Sequence, residues 1–335
     1  MLAVAKGPLR IAFLVLLVGV AIWFGPGRTD VRAADDEMED MCAGDMQWMI
    51  GWCLDIVTAG NIRLAAAAPS TGGYEPIDVP GAVGTRAFGI NPQGDVVGSY
   101  TNASGTHAYV LSNGYVTTFD YPGAATTEAW GINARGDIIG RYTRAGVTGV
   151  RGFLLRHGRY TDISMANHLI TLPTKIGASG DVVGCFHDAS PVRDMYGYVQ
   201  RGSSVTVFAL PTVTAPTGSS AMHNGVVPGG KTAVGFTFPT ATTARGYILS
   251  RDTLTFLDFP GSTFTQAWDV NPTGTIVGQY FASGRTSGFA LDQNGYETID
   301  VPGSLMTVAR GINPKGDIVG MYSDAAGAHG FALRR

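Results

Sequence analysis

One unit is repeated six times along most of this 335-residue chain, and the repetition restricts the possible folds more than any other feature. Each copy contains a glycine that closes a short apolar run, at Gly98, Gly140, Gly184, Gly235, Gly278 and Gly320. The intervals between these glycines are 42, 44, 51, 43 and 42 residues. Self-similarity at such a period is typical of architectures in which each copy is one supersecondary unit.

Two further patterns recur in the same order. An aspartate, usually within D-x-P-G, stands at Asp78, Asp120, Asp162, Asp258 and Asp300, and residues 209–211 (ALP) take its place in one copy. A triplet of a variable, a small and an aromatic residue begins at His107, Arg151, Tyr196, Arg245, Ser287 and His329. Three independent anchors in a fixed order make a chance origin untenable.

Each copy contains four short segments with the character of strands, here called a, b, c and d. In the first copy they are Ala87–Asn91, Val96–Thr101, His107–Leu111 and Tyr115–Asp120. The residues between them suit tight turns: N-P-x-G between a and b, Asn-Gly between c and d, and V-P-G after d. The pattern therefore predicts antiparallel strands joined by short turns.

Four antiparallel strands at this period predict an all-β fold, a six-bladed β-propeller of four-stranded antiparallel blades over residues 74–335. The region opens at Tyr74 with a lone d strand and closes at Leu333 with a c strand. We expect the N-terminal strand to join the last blade and close the ring, because this leaves no blade incomplete. An open β-solenoid is the alternative, and it needs no such complementary ends.

Composition supports this fold and excludes several classes of protein. The chain has 47 glycines and 17 prolines, 45% hydrophobic residues and only 15% charged residues, which excludes disordered chains and charged coiled coils. The formal net charge is −3, so the chain lacks the basic character that a nucleic-acid partner requires.

The first 33 residues have the pattern of a signal peptide. Lys6 and Arg10 precede an uncharged run over residues 11–24, which as a helix spans about 21 Å and falls short of a membrane core. Val31-Arg32-Ala33 suits cleavage after Ala33. We expect a secreted, periplasmic or cell-surface protein; an uncleaved anchor is the alternative and would be its only membrane contact.

Residues 34–73 are predicted to form an acidic, Met- and Trp-containing spacer, with a short helix as an option. Cys42 and Cys53 could pair only if this segment bends, because a continuous helix holds their Cα atoms about 16 Å apart. Cys185 is predicted to be a buried thiol. No Cys/His spacing resembles a zinc site, so we predict neither metal nor cofactor.

The run G-I-N-x-x-G-D-[IV]-[IV]-G together with the His107-Ala108-Tyr109 triplet resembles the HAF-type bacterial extracellular repeat family. The resemblance covers residues 74–335 and is strong in copies one, two, five and six and weak in copies three and four. It implies an exported propeller-like protein. It implies no reaction and supplies no catalytic residues.

Residues that recur in nearly every copy are expected to be structural. The aspartate of D-x-P-G and the Asn and Asp of N-P-x-G-D are interpreted as caps of turn amides, and the triplet aromatics as packing residues. Functional residues are expected where the copies differ, on the face that carries the variable d–a and b–c connections.

Just before strand a, equivalent positions hold Arg86, Glu128, Gln266 and Val308, and two residues later they hold Phe88, Trp130, Trp268 and Arg310. The b–c loop of the third copy adds His187 and Asp188, a candidate acid–base pair. Aromatic faces beside polar groups suit a carbohydrate or peptide. The predicted ligand-binding residues are Arg86, Glu128, Trp130, His187, Asp188, Gln266, Trp268 and Arg310, and no catalytic residue is predicted.

The first functional hypothesis is a monomeric, non-catalytic scaffold that binds a glycan, a cell-envelope component or a protein. The alternative is a glycoside hydrolase or lyase that uses carboxylates at the channel mouth, such as Glu128 and Asp188. A purely structural surface module is the third. No nucleophile motif with a fitting context is found.

Overall fold

The structure is a computed structural model that describes residues 61–63, 73–188, 195–208, 222–226, 232–240, 242–250 and 253–335. Every regular element within these ranges is a β-strand, as the repeats predict. In the same part of the chain, no helix has the length and apolar character needed to cross a membrane. The predicted signal peptide, Cys42 and Cys53 lie outside the described residues.

The strands are numbered in chain order. The first two are β1 (Asn61–Arg63) and β2 (Tyr74–Ile77). The first two repeats contain β3 (Gly84–Ile90), β4 (Val96–Asn102), β5 (Gly105–Ser112), β6 (Tyr115–Phe119), β7 (Thr126–Ile132), β8 (Ile138–Arg144), β9 (Val147–Arg156) and β10 (Arg159–Ile163). The next two contain β11 (Ile170–Ile176), β12 (Val182–His187), β13 (Tyr196–Arg201), β14 (Ser204–Phe208), β15 (Met222–Val226), β16 (Thr232–Thr237), β17 (Arg245–Ser250) and β18 (Thr253–Leu257). The last two contain β19 (Phe264–Val270), β20 (Ile276–Ala282), β21 (Arg285–Asp292), β22 (Gly295–Ile299), β23 (Met306–Ile312), β24 (Ile318–Ser323) and β25 (Ala328–Leu333).

Within each repeat the strands pair consecutively and antiparallel, so that β3 pairs with β4, β4 with β5 and β5 with β6. The four strands predicted for the first repeat are therefore all present. Strand a is longer than expected at its beginning, because it starts at Gly84 instead of Ala87. It also ends one residue earlier, because Asn91 belongs to the turn.

The two ends of the repeat region meet. β2 pairs antiparallel with β25, which places Tyr74 opposite Leu333 and Ile77 opposite Gly330. This pairing of β2 with β25 is called the seam below. The Tyr74 ring also packs edge-on against Phe331, with ring centroids 5.7 Å apart. The spacer contributes β1, which pairs antiparallel with β6 at the edge of the first repeat.

The a–b turns are held by their asparagines. The Asn91 carbonyl accepts a hydrogen bond from Gly94 N (3.1 Å), and its Oδ1 accepts from Gln93 N and Asp95 N (3.0 and 2.9 Å). Gly94 has a φ of +96°, which a residue with a side chain adopts only at a cost. The predicted capping role of the N-P-x-G-D asparagine is confirmed.

The glycine anchor exists because an aromatic ring lies on it. The Tyr109 ring of β5 is fully buried and covers Gly98 of β4. A Cβ at Gly98 would collide with this ring and with the Arg86 carbonyl oxygen. The same glycine–aromatic pairs are Gly140–Phe153, Gly184–Tyr198, Gly235–Tyr247, Gly278–Phe289 and Gly320–Phe331. The packing role predicted for the triplet aromatics is therefore confirmed.

Each repeat is hydrogen-bonded to the next near strand a. In five repeats an asparagine Nδ2 donates to a backbone carbonyl of the neighbouring repeat, and in the third repeat the donor is a threonine hydroxyl. The bonds are Asn91 to Asn133 O (3.4 Å), Asn133 to Gly177 O (3.4 Å), Thr174 to His223 O (2.8 Å), Asn224 to Ala267 O (2.9 Å), Asn271 to Asn313 O (3.5 Å) and Asn313 to Asn91 O (3.4 Å). The last bond joins the sixth repeat to the first.

Candidate functional site

A β-bulge interrupts strand a in every repeat at the same place. The pairing with strand b shifts register on either side of one residue, which is Phe88, Trp130, Thr174, Asn224, Trp268 or Arg310. Bulges reorient side chains and are common beside functional sites. Three of the predicted binding residues, Trp130, Trp268 and Arg310, therefore owe their orientation to the bulge.

Four of the bulged residues meet in one cluster, although they belong to the first, second, fifth and sixth repeats. Phe88 stacks on Trp130 with centroids 4.7 Å apart, and Trp130 lies 6.3 Å from Trp268. The Arg310 guanidinium carbon lies 3.6 Å from the Trp268 centroid, 5.7 Å from that of Trp130 and 5.9 Å from that of Phe88. This set of four residues is called the bulge cluster.

The guanidinium of Arg310 occupies an unusual environment. Its Nε and Nη1 are shielded from solvent and find no hydrogen-bond acceptor among the described residues. Burial, together with the charges of Arg141 and Arg86, lowers the pKa of Arg310 to about 9, and Glu128 opposes this shift. The group still carries its proton at neutral pH, and the aromatic faces around it stabilise the cation.

Glu128 lies two residues before the bulge and is already engaged. Its Oε2 accepts hydrogen bonds from Arg141 Nε (2.9 Å) and Trp130 Nε1 (2.9 Å), and Arg141 Nη2 lies 2.7 Å away. The Arg141 guanidinium also covers the Trp130 ring at 4.5 Å. One face of Trp130 packs on Phe88 and a guanidinium lies over the ring, so this residue acts first as packing.

The row that contains Glu128 differs from repeat to repeat. The equivalent positions hold Arg86, Glu128, Leu172, Met222, Gln266 and Val308, and this set is called the variable row. Arg86 and Gln266 are polar, and Gln266 is buried. Leu172, Met222 and Val308 pack with Cys185 and Phe236 in one apolar cluster that also contains Trp268. The buried thiol predicted at Cys185 is confirmed.

A buried ion pair lies one residue beyond the bulge. Lys175 Nζ donates to Asp269 Oδ2, and this carboxylate also accepts from the backbone nitrogens of Val270 (2.8 Å) and Ile312 (3.0 Å). Only 2% of the Asp269 side chain is exposed. The four other repeats have glycine at this position, so the pair links the third repeat to the fifth where the pattern is broken.

His187 and Asp188, proposed as an acid–base pair, have different surroundings. Asp188 is exposed and its carboxylate lies 3.1 Å from His168 Nδ1, and it also accepts from the Leu169 amide at 3.2 Å. His187 ends β12 and is buried opposite Ile170. Neither residue is a member of the bulge cluster.

The aspartates of D-x-P-G have a different role from the one expected. Each lies within ion-pair distance of a histidine or an arginine of strand c. The pairs are His107–Asp120 (2.7 Å), Arg151–Asp162 (3.5 Å), Arg245–Asp258, Arg285–Asp300 (2.7 Å) and His329–Asp78 (2.8 Å). The interpretation of these aspartates as turn caps is wrong, because their carboxylates point to the neighbouring strand. His329–Asp78 spans the seam.

Exposed aliphatic residues recur in the connections that lead into strand a. Val83, Leu169 and Leu305 are 74%, 50% and 67% exposed. The Val83 and Leu305 amides donate to Thr101 O and Ser323 O at the far ends of β4 and β24, so these residues lie beside the b–c loops. Solvent-exposed apolar side chains therefore stand beside these loops.

Phe88 was placed in this row from the sequence but was not predicted to bind, and Arg141 and the Lys175–Asp269 pair were not predicted to belong to this region. Arg141 could have been found, because it lies directly opposite Glu128 in the strand register, and strand b also varies at this position. The bulge has no signal that can be read from one sequence. The described residues contain no group of three or more His, Cys, Asp or Glu suited to a metal ion.

No protein-family model matches the sequence, and no curated protein matches it either. Solved structures do match. The SapL1 lectin in complex with alpha methyl fucoside is 12% identical, with a TM-score of 0.50 over 74% of this chain and 92% of that chain. A virginiamycin B lyase from Staphylococcus aureus is 12% identical, with a TM-score of 0.48 over 78% of this chain and 99% of that one. The β-propeller domain of a Pyrococcus furiosus protease is 10% identical, with a TM-score of 0.44 over 73% and 79%. The protein is all-β and propeller-like.

Proposed function

We propose that this protein is an exported, six-bladed β-propeller, closed at the seam, that binds a glycan without transforming it. The closed six-bladed ring is supported by β2 beside β25 and by the bond from Asn313 to Asn91 O. Export, and membership of the HAF-type family, rest on the N-terminal pattern and on the repeated motifs.

The convergence of the bulge cluster carries the binding proposal. Four repeats contribute Phe, Trp and Arg side chains to one place, whereas the glycine and the aromatic residue of the packed pairs recur in every repeat. A site that needed only packing could use the same residue in every repeat. Aromatic rings beside guanidinium, carboxylate and amide groups are the chemistry that sugars require, with apolar faces and polar edges.

The carboxylate count disfavours the hydrolase alternative. Glycosidases use two carboxylates on either side of the scissile bond, about 5 to 9.5 Å apart. Among the twelve residues of the variable row and the bulged positions, Glu128 is the only carboxylate. It is held by Arg141 and Trp130, and the next carboxylate, Asp269, is buried against Lys175. Both carboxylates are engaged in ion pairs, which favour the ionised form over the protonated form that a general acid requires.

A glycan array probed with the full exported chain tests the proposal, together with an assay for released reducing sugar. We expect retention on at least one glycan and no release of sugar. Glu128→Gln should weaken retention, whereas Glu297→Gln, an exposed carboxylate on β22, should not. Sugar release that Glu128→Gln abolishes would establish the hydrolase instead. The absence of both binding and release would favour a structural module.

A further inference from the structure

The charges around the bulge cluster do not balance. The Arg310 guanidinium interacts electrostatically with the guanidinium groups of Arg141 and Arg86 and with one carboxylate, that of Glu128. Arg141 takes that carboxylate in a close ion pair. Within the described residues, neither Arg86 nor Arg310 has a carboxylate within ion-pair distance. Two positive charges are therefore left uncompensated.

Hydrogen-bond donors are also unsatisfied at the same place. Trp268 is only 8% exposed, and its Nε1 finds no acceptor in the described part of the chain. The same holds for Arg310 Nε and Nη1, whose guanidinium lies on the Trp268 ring. A buried donor without an acceptor destabilises the folded chain, and a charged donor does so more strongly. The donors and the excess positive charge call for the same partner, an anion with several acceptor atoms.

We propose that the ligand is a sugar that bears a carboxylate, and that Arg310 and Arg86 bind this carboxylate. The inference rests on the proposed function and names the class of glycan. A guanidinium offers a planar pair of N–H donors that matches the two oxygens of a carboxylate.

The neighbouring groups favour an acidic sugar over an acidic peptide. Glu128 and Gln266 stand in the variable row with Arg86 and can accept hydrogen bonds from hydroxyl groups. A peptide with several acidic residues would bring further carboxylates against Glu128, and like charges repel. A sugar with one carboxylate and several hydroxyls brings one negative charge to the two unpaired cations.

Calorimetric titration of the full chain with D-galacturonate tests the inference, with D-galactose as the neutral comparison. We expect galacturonate to bind at least about tenfold more tightly than galactose, as one charge-assisted hydrogen bond provides. Arg86→Gln and Arg310→Gln should each lose about this factor. Lys315→Gln removes the same charge from an exposed a–b turn at the other end of strand a, and it should leave the affinity unchanged. Thermal melts establish that each variant folds. If Arg310→Gln does not fold, the affinities of the two single variants Arg86→Gln and Arg310→Lys test the inference.

Each other outcome has a definite meaning. Equal affinity for the two sugars, or unchanged affinity in both arginine variants, overturns the carboxylate inference and leaves the glycan-binding function intact. Binding of a tetraglutamate peptide with no binding of galacturonate overturns the acidic sugar in favour of a peptide. If no sugar binds either in solution or on the array, both the inference and the proposed function fail.

Discussion

The two ends of strand a are built from the same repeats, yet they follow opposite rules. At the end that leads into the a–b turn, an asparagine recurs, and Asn91, Asn133, Asn271 and Asn313 each reach the backbone of the next repeat. At the other end, the variable row and the bulge cluster change from repeat to repeat. Recurrence therefore marks what holds the repeats together, and the proposed ligand site lies where the repeats differ.

Removal of the seam should have the largest effect, because both ends of strand a depend on it. Deletion of residues 74–80 removes β2, so that β25 keeps a single antiparallel pairing, that with β24, and it also removes Asp78, the partner of His329. We expect the deletion variant to lose the single cooperative unfolding transition. Circular dichroism during urea denaturation measures this.

Deletion of residues 61–63 is the matched control for the seam. It removes β1, which pairs only with the outer strand β6 of the first repeat. The midpoint of unfolding should change little. If both deletions leave one sharp transition, the seam does not close the structure.

The next largest effect concerns the ion pair between Lys175 and Asp269, which stand in strand a where the other repeats have glycine. Lys175→Met leaves Asp269 buried without its cation and should lower the free energy of unfolding by about 3 kcal/mol. The double variant Lys175→Met with Asp269→Asn removes both charges and should recover part of this loss. Chemical denaturation measures both, and a single variant as stable as the native chain would contradict the pairing.

A smaller effect separates the two ends directly. Asn313→Ala removes the acceptor for the Lys315 and Asp317 amides and the donor to Asn91 O. It should cost about 2 kcal/mol of stability because these groups are buried, with no change in sugar affinity. Arg86→Gln should lower the sugar affinity and leave the free energy of unfolding unchanged. A loss of sugar affinity in Asn313→Ala, with Arg86→Gln silent, would invert the assignment of the two ends.

The smallest effect is a pH dependence at the seam. Burial alone would lower the pKa of His329, but Asp78 and Asp324 outweigh it and raise this pKa above its usual value. The stabilisation is therefore complete below the pKa of an unfolded histidine, about 6.5, and is lost as pH rises through the folded value. It should be below about 1 kcal/mol, because the pair is partly exposed.

Unfolding of the native chain and of His329→Gln between pH 5.5 and 8.5 measures this contribution. The difference between the two should shrink toward high pH. Arg151→Gln, which breaks the equivalent pair in the second repeat, should give a difference that is constant over this range. A constant difference for His329→Gln would show that the histidine charge is not involved.

The strands and turns could be predicted from the sequence because their chemistry is local. The Asn91 turn, the Gly98–Tyr109 pair and the seam follow from residue types at fixed spacing. The bulge could not be predicted, because it depends on pairing across strands. The partners of the D-x-P-G aspartates were missed although a signal existed. The copy that lacks the aspartate is also the copy whose triplet begins with Tyr196. In the other copies the triplet begins with an arginine or a histidine, except in the fifth, where Arg285 stands two residues before Ser287.

The most direct test of the account is hydrogen–deuterium exchange of the full chain with and without saturating galacturonate. We predict that protection is gained in the first halves of β3, β7, β19 and β23 and in the connections before them, with none at the a–b turns. Protection confined to the turns at residues 91–95, 133–137, 271–275 and 313–317 would contradict the account, because the recurring end would then be the one that binds.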